Sequence, residues 1–464
     1  MDTNLGSILQ HILDRQRDWE KGWPDYSVDA TLTLRHDDML DAVDALQDRL
    51  RDNYPFFHPM YAGQMLKPPH PAAVLGYVAA MLINPNNHAL DGGPATGQIE
   101  KELIGELAAM FGYDRHLGHL TSSGTIANLE ALWVCRQLQP GKAVAYSDQS
   151  HYTHSRMCEV LGIRGIAVPS DAYGRMDTFA LDRLCLSEDI GAVVATIGTT
   201  GLGALDPLPA LVRLRDRHGF RIHADAAYGG FFRLIGDEAE NGVHPQVYAS
   251  LAECDSIVVD PHKHGLQPYG CGCVLFRDPD VGRFYVHDSP YTYFTSKELH
   301  LGEISLECSR AGAAAAALWT TLRLLPLEAQ SGLGAVLRRC RSAALQWADM
   351  LRVSDSLCLL MEPELDIVVY FPNTAPFSAS AISAASAQLF DRSMRDAQEA
   401  VYLSTFRVKS DLIQSRYPQL IADTEWTTVL RSVLMKPEQA DWVGRIHRKV
   451  EECTAEILAE MWNV

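Results

Sequence analysis

The amino-acid sequence predicts an α/β protein in which a mostly parallel central sheet is flanked by helices. Between about residues 85 and 280, helical segments alternate with short apolar runs, which are typical of strands buried on both faces. Strand and helix in alternation favour a parallel sheet with helices on both sides. The 464-residue chain is 47% hydrophobic and 21% charged, which excludes a disordered or collagen-like protein and allows a large core.

At the amino-terminal end, residues 1–60 predict a helical arm. Apolar residues recur at spacings of three and four, at 8–13 and again at 40–50, so one face of each helix is apolar. Such an apolar face must be buried against other apolar surface, and a partner subunit is one candidate for supplying it. The first residues lack the basic region and apolar core of a secretory signal, and the ten cysteines form no disulfide framework. We therefore expect a cytoplasmic protein with reduced thiols.

Six apolar runs follow and are interpreted as strands of the central sheet, within a large domain over residues 61–325. They lie at residues 143–146, 166–168, 192–197, 221–224, 256–259 and 273–276. Ligands of such sheets bind beyond the carboxyl ends of the strands. The polar residues that follow these runs are therefore the candidates for a functional site.

Beyond residue 325 the pattern predicts a small α+β domain over residues 326–464. Helical stretches at 336–353, 381–397 and 439–461 flank two strand-like pieces at 366–371 and 427–435. Pro326, Gly332 and Gly334 mark the junction, because proline and glycine interrupt regular structure.

The charge of the chain narrows the class of partner. It has 58 Asp and Glu against 40 Lys and Arg, a formal net charge of −18. Because affinity for a phosphate backbone comes from Lys and Arg, nucleic acid is a poor candidate, and so is an anionic membrane. The longest strongly apolar helical stretch, at 311–325, is too short to span a bilayer. A small-molecule ligand is not constrained by the net charge.

Polar groups follow four of the predicted strands. The segments lie at 148–151, 198–201, 223–228 and 260–264. They would bring a carboxylate, an imidazole and a lysine into one crevice. Upstream, the small-residue loop at 119–128 opens into a helix, whose free N–H groups and positive end favour an anion. By itself this loop is more simply explained by an ordinary N-cap, and it lacks the Gly-Lys-Ser/Thr of a nucleotide P-loop.

Together these groups are what pyridoxal phosphate requires. The loop is a cradle for its phosphate, an imidazole can stack on its ring, and a lysine amine can hold its aldehyde as an imine. A carboxylate against the ring nitrogen keeps that nitrogen protonated, so the ring can accept the electrons of a carbanion.

The sequence resembles the group II pyridoxal-phosphate decarboxylases of fold type I, and within them bacterial tyrosine decarboxylases. The resemblance spans about residues 55–450. It is carried by the segments 91–96, 117–128, 223–230, 256–263, 305–312 and 429–437. It implies decarboxylation of an L-amino acid to an amine and carbon dioxide, with pyridoxal 5'-phosphate as cofactor. It also implies a homodimer with active sites at the subunit interface.

Position by position, the resemblance gives roles to individual residues. Lys263 would form the imine with the cofactor, Asp225 would pair with the ring nitrogen, and His151 would stack on the ring. Further cofactor contacts would come from Ser123, Gly124, Thr125, Thr199 or Thr200, Ala227 and His262. His151 and His154 could instead suggest a metal pair, but no third ligand is evident and no metal is expected.

The reaction type depends on a proton donor in a loop after the lysine. The resemblance implies that Tyr291, 28 residues after Lys263, protonates the carbon that has lost carbon dioxide, with Tyr293 as a rival. Related enzymes with Phe at this place resemble oxygen-consuming aldehyde synthases, so a tyrosine favours plain decarboxylation. Aldehyde formation, a carbon–carbon lyase reaction and a non-catalytic scaffold remain the alternatives.

Substrate contacts are expected from residues of several segments. They are His58, Tyr61, Gln64, Tyr269 and Arg431. Arg431 would meet a substrate carboxylate, with a structural salt bridge as the alternative. Tyrosine decarboxylases carry His where Gln64 stands, and an amide cannot become cationic. We expect an aromatic amino acid as substrate, tyrosine-like first, with an acidic amino acid (glutamate or aspartate) as the alternative.

Overall fold

The computed structural model describes residues 5–237, 243–286, 304–395 and 399–462. The strands are β1 Leu117–Thr121, β2 Ala143–Ser147, β3 Gly165–Val168, β4 Ile190–Thr196, β5 Arg221–Asp225, β6 Ser256–Val259, β7 Gly272–Phe276, β8 Leu357–Leu359, β9 Ile367–Pro372, β10 Ser404–Lys409 and β11 Trp426–Val433. The helices are α1 Leu5–Glu20, α2 His36–Leu50, α3 Pro71–Met81, α4 Pro94–Phe111, α5 Gly124–Leu138, α6 Thr153–Leu161, α7 Thr178–Ser187, α8 Leu208–His218, α9 Pro245–Ala249, α10 Gly312–Leu324, α11 Gly332–Arg352, α12 Ala379–Arg395, α13 Ser410–Gln414 and α14 Gln439–Trp462.

Seven strands form the central sheet, in the order β1-β7-β6-β5-β4-β2-β3. Neighbours from β6 to β3 pair in parallel, and β7 runs antiparallel to both β6 and β1. The predicted α/β class is confirmed, and all six apolar runs are strands of this sheet. The seventh strand, β1, was not among them, because its sequence Leu-Gly-His-Leu-Thr is not a continuous apolar run.

Strand β4 illustrates why the runs are apolar throughout. Val193 and Ala195 belong to the main core on one face of the sheet, whereas Ala192 and Val194 pack with helices α5 and α6 on the other. Because successive side chains point to opposite faces, a strand covered on both sides needs apolar residues at every position. Parallel pairing then brings the carboxyl ends of β2, β4, β5 and β6 to one edge.

The small domain contains a four-stranded antiparallel sheet in the order β10-β11-β9-β8. Helices α11 and α12 pack against it, and α14 packs against both of these helices. The sequence predicted only the two inner strands. The two outer strands were not predicted. Strand β8 has only three residues, and β10 alternates polar and apolar residues at the sheet edge.

The domain boundaries at residues 60 and 325 stay predictions. The contacts of the segment 60–63 concern the boundary at residue 60. The N–H of Ala62 donates to the carbonyl of Tyr402 at 2.9 Å, and the N–H of Val433 donates to the carbonyl of Ala62 at 3.0 Å. Met60 and Ala62 also belong to the core cluster of the small domain. This segment therefore packs as part of the small domain, although it precedes the large domain in sequence.

The amino-terminal arm consists of α1 and α2, as the spacing predicted. No residue of either helix is buried. The apolar side chains of α2, including Val43 and Leu46, are about half exposed. Within the described ranges, no helix is both long and apolar enough to cross a membrane.

Candidate active site

A cavity of about 170 Å³ lies at the carboxyl edge of the central sheet. Its lining comes from the residues that follow β1, β2, β4, β5 and β6, as expected for a parallel sheet. It is lined by Ser123, Gly124, Thr125, Asn128, His151, Thr153, Thr196, Gly198, Thr200, Asp225, Ala227, Tyr228, Asp260, His262 and Lys263. The predicted lysine, carboxylate, imidazole and small-residue loop therefore meet in one place.

The first wall of the cavity is the start of helix α5. Ser123 caps the helix, because its hydroxyl accepts from the N–H of Ile126 at 3.3 Å. Gly124 follows, and a Cβ added there would lie 2.5 Å from Oδ2 of Asp260. Only glycine therefore allows the loop to approach the carboxylate so closely. The helix start presents its positive end to the cavity, which favours an anionic group such as a phosphate.

The lysine lies opposite, in the turn that follows β6. Nζ of Lys263 lies 3.0 Å from Oδ2 of Asp260 in the same turn. Burial disfavours the ammonium, but the carboxylates of Asp260 and Asp225 outweigh it, so the pKa of Lys263 is raised above its ordinary value. Next to it, Nδ1 of His262 donates to the carbonyl of Cys271 at 2.8 Å, and burial lowers the pKa of His262.

Asp225 ends strand β5 and is almost fully buried. Its Oδ1 accepts from the N–H of Ala227 at 3.2 Å, and its Oδ2 accepts from Nε2 of His154 at 2.7 Å. Burial opposes ionisation, but the hydrogen bond and charge of His154, with the charge of Lys263, hold the pKa of Asp225 well below its ordinary value. The cavity therefore contains an ionised carboxylate, suited to a protonated ring nitrogen.

His151 is a half-buried imidazole between β2 and α6. Its Nδ1 accepts from the backbone N–H of Thr153 at 3.2 Å and lies 2.6 Å from the Thr153 hydroxyl. Burial lowers the pKa of His151, so the neutral ring is favoured. Because Nδ1 accepts, the proton of the neutral ring is on Nε2. A flat, neutral ring of this kind is suited to stacking on an aromatic cofactor.

The groups that line the cavity fit pyridoxal phosphate. The helix start with Ser123, Gly124 and Thr125 would hold its phosphate, Asp225 its ring nitrogen, and Lys263 its aldehyde carbon. Oδ1 of Asp260 is buried and finds no hydrogen-bond partner among the described residues, which indicates that the site is completed by a further donor.

Comparison with known proteins agrees with this chemistry. Residues 56–371 match the family model of the pyridoxal-dependent decarboxylase conserved domain. The chain belongs to the pyridoxal-dependent decarboxylase family. It is therefore a carboxy-lyase that uses pyridoxal phosphate to decarboxylate an amino acid. When bound, this cofactor acts as an electron sink for the bond that breaks.

The decarboxylase is similar to enzymes of two substrate classes. It is 28% identical to the L-tyrosine decarboxylase of Enterococcus faecium, over 75% of each chain. It is 28% identical to the L-aspartate decarboxylase of Thermococcus kodakarensis, over 70% of this chain and 82% of that one.

Solved structures share the fold at low identity. A structure of Oryza sativa TDC with PLP and tryptamine superposes with a TM-score of 0.77 at 18% identity, covering 99% of both chains. A structure of mouse CSAD also gives a TM-score of 0.77, at 20% identity, covering 97% of this chain and 99% of that one. The expected fold type I architecture is thereby confirmed.

The structure separates the two threonines that follow β4. Thr199 is fully buried inside the turn, where its hydroxyl accepts from the N–H of Ala204 at 3.0 Å. It does not line the cavity, whereas Thr200 does. The sequence named Thr199 for the cofactor, with Thr200 as the alternative, and the placement favours Thr200.

The predicted substrate residues lie beside the cavity or further away. Nη1 of Arg431 donates to the carbonyl of Thr200 at 2.7 Å, and Nη2 donates to Oε1 of Gln64 at 2.5 Å. The ring of Tyr269 lies 5.0 Å from that of His262, so both Arg431 and Tyr269 contact residues that line the cavity.

Two of the predicted substrate residues have structural contacts instead. The carbonyl of Tyr61 accepts from Nζ of Lys436 at 2.6 Å, and its hydroxyl accepts from the N–H of Gln64 at 3.2 Å. His58 packs edge-on against Trp442 of α14, with ring centroids 5.0 Å apart. Neither residue lines the cavity. Tyr291 and Tyr293, the proton-donor candidates, lie outside the described residues.

Several residues of the site had no role in the sequence prediction, and Asp260, His154 and Tyr228 are three of them. Asp260 directly precedes the Pro-His-Lys motif, and its spacing of three from Lys263 was a usable signal. His154 was considered only for a metal, yet it contacts Asp225. Tyr228 lines the cavity and donates to Oδ1 of Asp366 at 2.5 Å. No local pattern could reveal that bond, because the two residues are 138 positions apart.

A larger cavity, of about 980 Å³, lies between the loop at 172–175 and the small domain. Two of its arginines pair with its glutamates, Arg175 with Glu364 at 2.7 Å and Arg352 with Glu362 at 2.8 Å. It holds no lysine. Size therefore does not identify the active site of this decarboxylase, whereas the chemistry of the lining does.

Proposed function

We propose that the enzyme decarboxylates an aromatic L-amino acid, tyrosine-like first, to the corresponding amine and carbon dioxide. The observation that carries this is the similarity to an L-tyrosine decarboxylase over 75% of each chain. Decarboxylation of an acidic amino acid is the second candidate, favoured by the similarity to an L-aspartate decarboxylase. The presence of Gln64 where tyrosine decarboxylases carry His is a further reason to test both.

In this proposal, the cofactor is held by the residues that line the cavity. Lys263 forms the covalent link, Asp225 faces the ring nitrogen and His151 stacks on the ring. The phosphate lies at the start of α5, with Ser123, Gly124 and Thr125 as its donors and His262 beside them. Support comes from the helix N-terminus and from the ionised state of Asp225.

Arg431 is proposed to bind the carboxylate of the substrate. It is 5% exposed, and its Nε has no hydrogen-bond partner among the described residues. A buried guanidinium with an unused donor favours an anionic ligand, because charge-assisted bonds then offset its desolvation. Its present partner Gln64 is exposed and neutral, so a carboxylate can displace that amide at small cost.

Tyr291 is proposed as the donor that returns a proton to the substrate carbon after carbon dioxide has left. Plain decarboxylation requires this proton, whereas reaction with oxygen at that stage gives an aldehyde. Tyr293 is the rival donor. The proposal rests on the family resemblance of this part of the sequence.

The two substrate classes are distinguished by a panel of L-amino acids. The purified enzyme, loaded with pyridoxal phosphate, is assayed for released carbon dioxide, and the product is identified by mass spectrometry. We expect amine without hydrogen peroxide, with the highest kcat/KM for tyrosine or a similar aromatic residue. Preference for aspartate or glutamate would establish the second candidate. Aldehyde with peroxide, or no turnover of any amino acid, would contradict the proposed reaction.

We also propose that the enzyme is a homodimer in which the amino-terminal arm covers the partner subunit. Support comes from the half-exposed apolar side chains of α2, such as Val43 and Leu46. The double variant Val43→Asp/Leu46→Asp should shift the mass measured by light scattering from dimer to monomer. A wild-type protein that is already a monomer at micromolar concentration would contradict this.

A further inference from the structure

His154 is a buried imidazole that lies behind Asp225, outside the cavity. It is the second residue of α6, and its side chain is 0% exposed. Its Nε2 lies 2.7 Å from Oδ2 of Asp225. Asp225 lines the cavity, whereas His154 does not. The imidazole is therefore placed to act on the carboxylate and not on the substrate.

The surroundings of His154 leave it with a single polar contact. Its Nδ1 is buried without a hydrogen-bond partner among the described residues. The ring centroids of Tyr146 on β2 and His223 on β5 lie 6.4 Å from its own, and neither side chain forms a hydrogen bond with its Nδ1. The charge of Lys263 also acts on Asp225. The ring is thus oriented by its bond to Asp225.

A purely structural role does not account for this arrangement. A buried imidazole with one unpaired nitrogen costs free energy that an apolar side chain would avoid. The short bond to an ionised carboxylate is the one contact that offsets the cost, since charge-assisted hydrogen bonds are the stronger ones.

We propose that His154 is a positioning residue that orients Asp225 and keeps it ionised, and so keeps the cofactor's ring nitrogen protonated. Asp225 has two carboxylate oxygens, and its backbone donor, Ala227, holds only Oδ1. Without the imidazole, Oδ2 loses its donor and burial then favours the neutral carboxyl group. A neutral carboxyl group stabilises a protonated ring nitrogen less, and the cofactor becomes a weaker electron sink. The inference rests on the proposed contact of Asp225 with the ring nitrogen.

The test compares variants that remove or retain the donor. His154→Phe removes it, and His154→Asn has an amide too short to reach Asp225. His154→Gln has a longer amide that can restore the bond. Met157→Leu, on the same buried helix face, is the packing control. Each protein is loaded with pyridoxal phosphate labelled with ¹⁵N in the ring, and the ring-nitrogen signal is recorded by NMR. Thermal unfolding of each variant reports whether it is folded.

We expect the ring-nitrogen signal of His154→Phe and His154→Asn to move toward the unprotonated value. The wild type, His154→Gln and Met157→Leu should keep the protonated value. Cofactor affinity should fall by about 10-fold to 100-fold in the first two, as is typical when the partner behind a ligand-holding group is removed. A folded His154→Phe or His154→Asn protein with the wild-type signal would overturn the proposal.

Asp225→Ala, measured in parallel, distinguishes failure of this inference from failure of the proposed cofactor contact. If Asp225→Ala also leaves the signal unchanged, Asp225 does not face the ring nitrogen and the proposed contact is wrong. If Asp225→Ala moves the signal and the His154 variants do not, only the role of His154 is wrong.

Discussion

The amine of Lys263 lies 3.0 Å from Oδ2 of Asp260, and the two residues are also joined by a backbone hydrogen bond of 2.9 Å. Asp260 is thus both the anchor of the turn and the nearest negative charge to the reactive amine. The same carboxylate lies against the start of α5, where only glycine fits at position 124. One buried carboxylate therefore connects the lysine to the start of α5, where the phosphate is proposed to bind.

Asp260→Asn should make the amine more reactive toward the cofactor at low pH. The carboxylate raises the pKa of Lys263, so its removal lowers that pKa and leaves more neutral amine near neutral pH. The rate at which the apoprotein binds pyridoxal phosphate is followed by absorbance at a series of pH values. The midpoint of the increase in this rate with pH should therefore lie at a lower pH in the variant than in the wild type. A midpoint that stays in place or moves upward would show that Asp260 does not control the amine.

Lys263→Ala should abolish covalent attachment of the cofactor. Borohydride reduction followed by peptide mapping should place the label on Lys263 in the wild type and on no lysine in the variant. The competing site is Lys436, because burial, with a smaller contribution from Lys67, lowers its pKa to about 7 and increases its nucleophilicity. A label that maps to Lys436 in the wild type would contradict the assignment.

Lys436→Met should flatten the dependence of stability on pH. The pKa of Lys436 is about 7 in the folded protein and 10.5 when unperturbed, so between these values the unfolded chain binds more protons. Stability from this group rises with pH across that window. In the variant, the gain in unfolding free energy from pH 7 to pH 9 should shrink by on the order of 1 kcal/mol.

Urea unfolding at the two pH values measures this gain. The carbonyl of Tyr61 keeps its second donor, Nε2 of Gln439 at 3.2 Å, so the variant is expected to fold. Lys409→Met, at an exposed position, is the control and should leave the slope unchanged. An equal slope in Lys436→Met and the wild type would contradict the prediction.

Arg431→Met should weaken substrate binding and leave cofactor binding intact. Loss of a charge-assisted bond costs about 1.5–3 kcal/mol, so kcat/KM should fall by about 10-fold to 100-fold. Steady-state kinetics and cofactor titration separate the two effects. The control Arg407→Met changes an exposed arginine of β10 and should behave as wild type. A variant with unchanged kcat/KM would indicate that Arg431 serves only as the tether of Thr200 and Gln64.

Tyr291→Phe should slow amine formation and divert the reaction toward aldehyde and hydrogen peroxide. Removal of a general acid typically costs about 10²–10⁴-fold in rate. Tyr293→Phe, two positions away, is the matched control. The ratio of amine to aldehyde, measured by chromatography with a peroxide assay, decides between them. If Tyr293→Phe changes the ratio and Tyr291→Phe does not, the two roles are exchanged.

Much of the fold was predictable because its main signal is local. A strand covered on both faces must be apolar at every position, and the runs that include β4 and β6 showed this directly. Strand β10 was missed for the same physical reason, since an edge strand faces water on part of its surface and its sequence has mixed polarity. Strand β8 was missed because it has only three residues. The sequence prediction placed Met60 in the amino-terminal arm and residues 61–63 in the large domain, because nothing in this segment indicates its bonds to Tyr402 and Val433.

The sequence alone determined the sheet of buried strands and the cofactor class, and it supplied Lys263, Asp225 and His151 as candidates for the site, since motifs and periodicity depend on neighbouring residues. Tertiary structure decided which threonine reaches the cavity, which carboxylate lies beside the amine, and that His154 contacts Asp225. These relationships depend on where strand ends converge in space. Pairs such as His154 and Asp225, 71 positions apart, meet only after the sheet has formed, so no spacing along the chain could predict their contact.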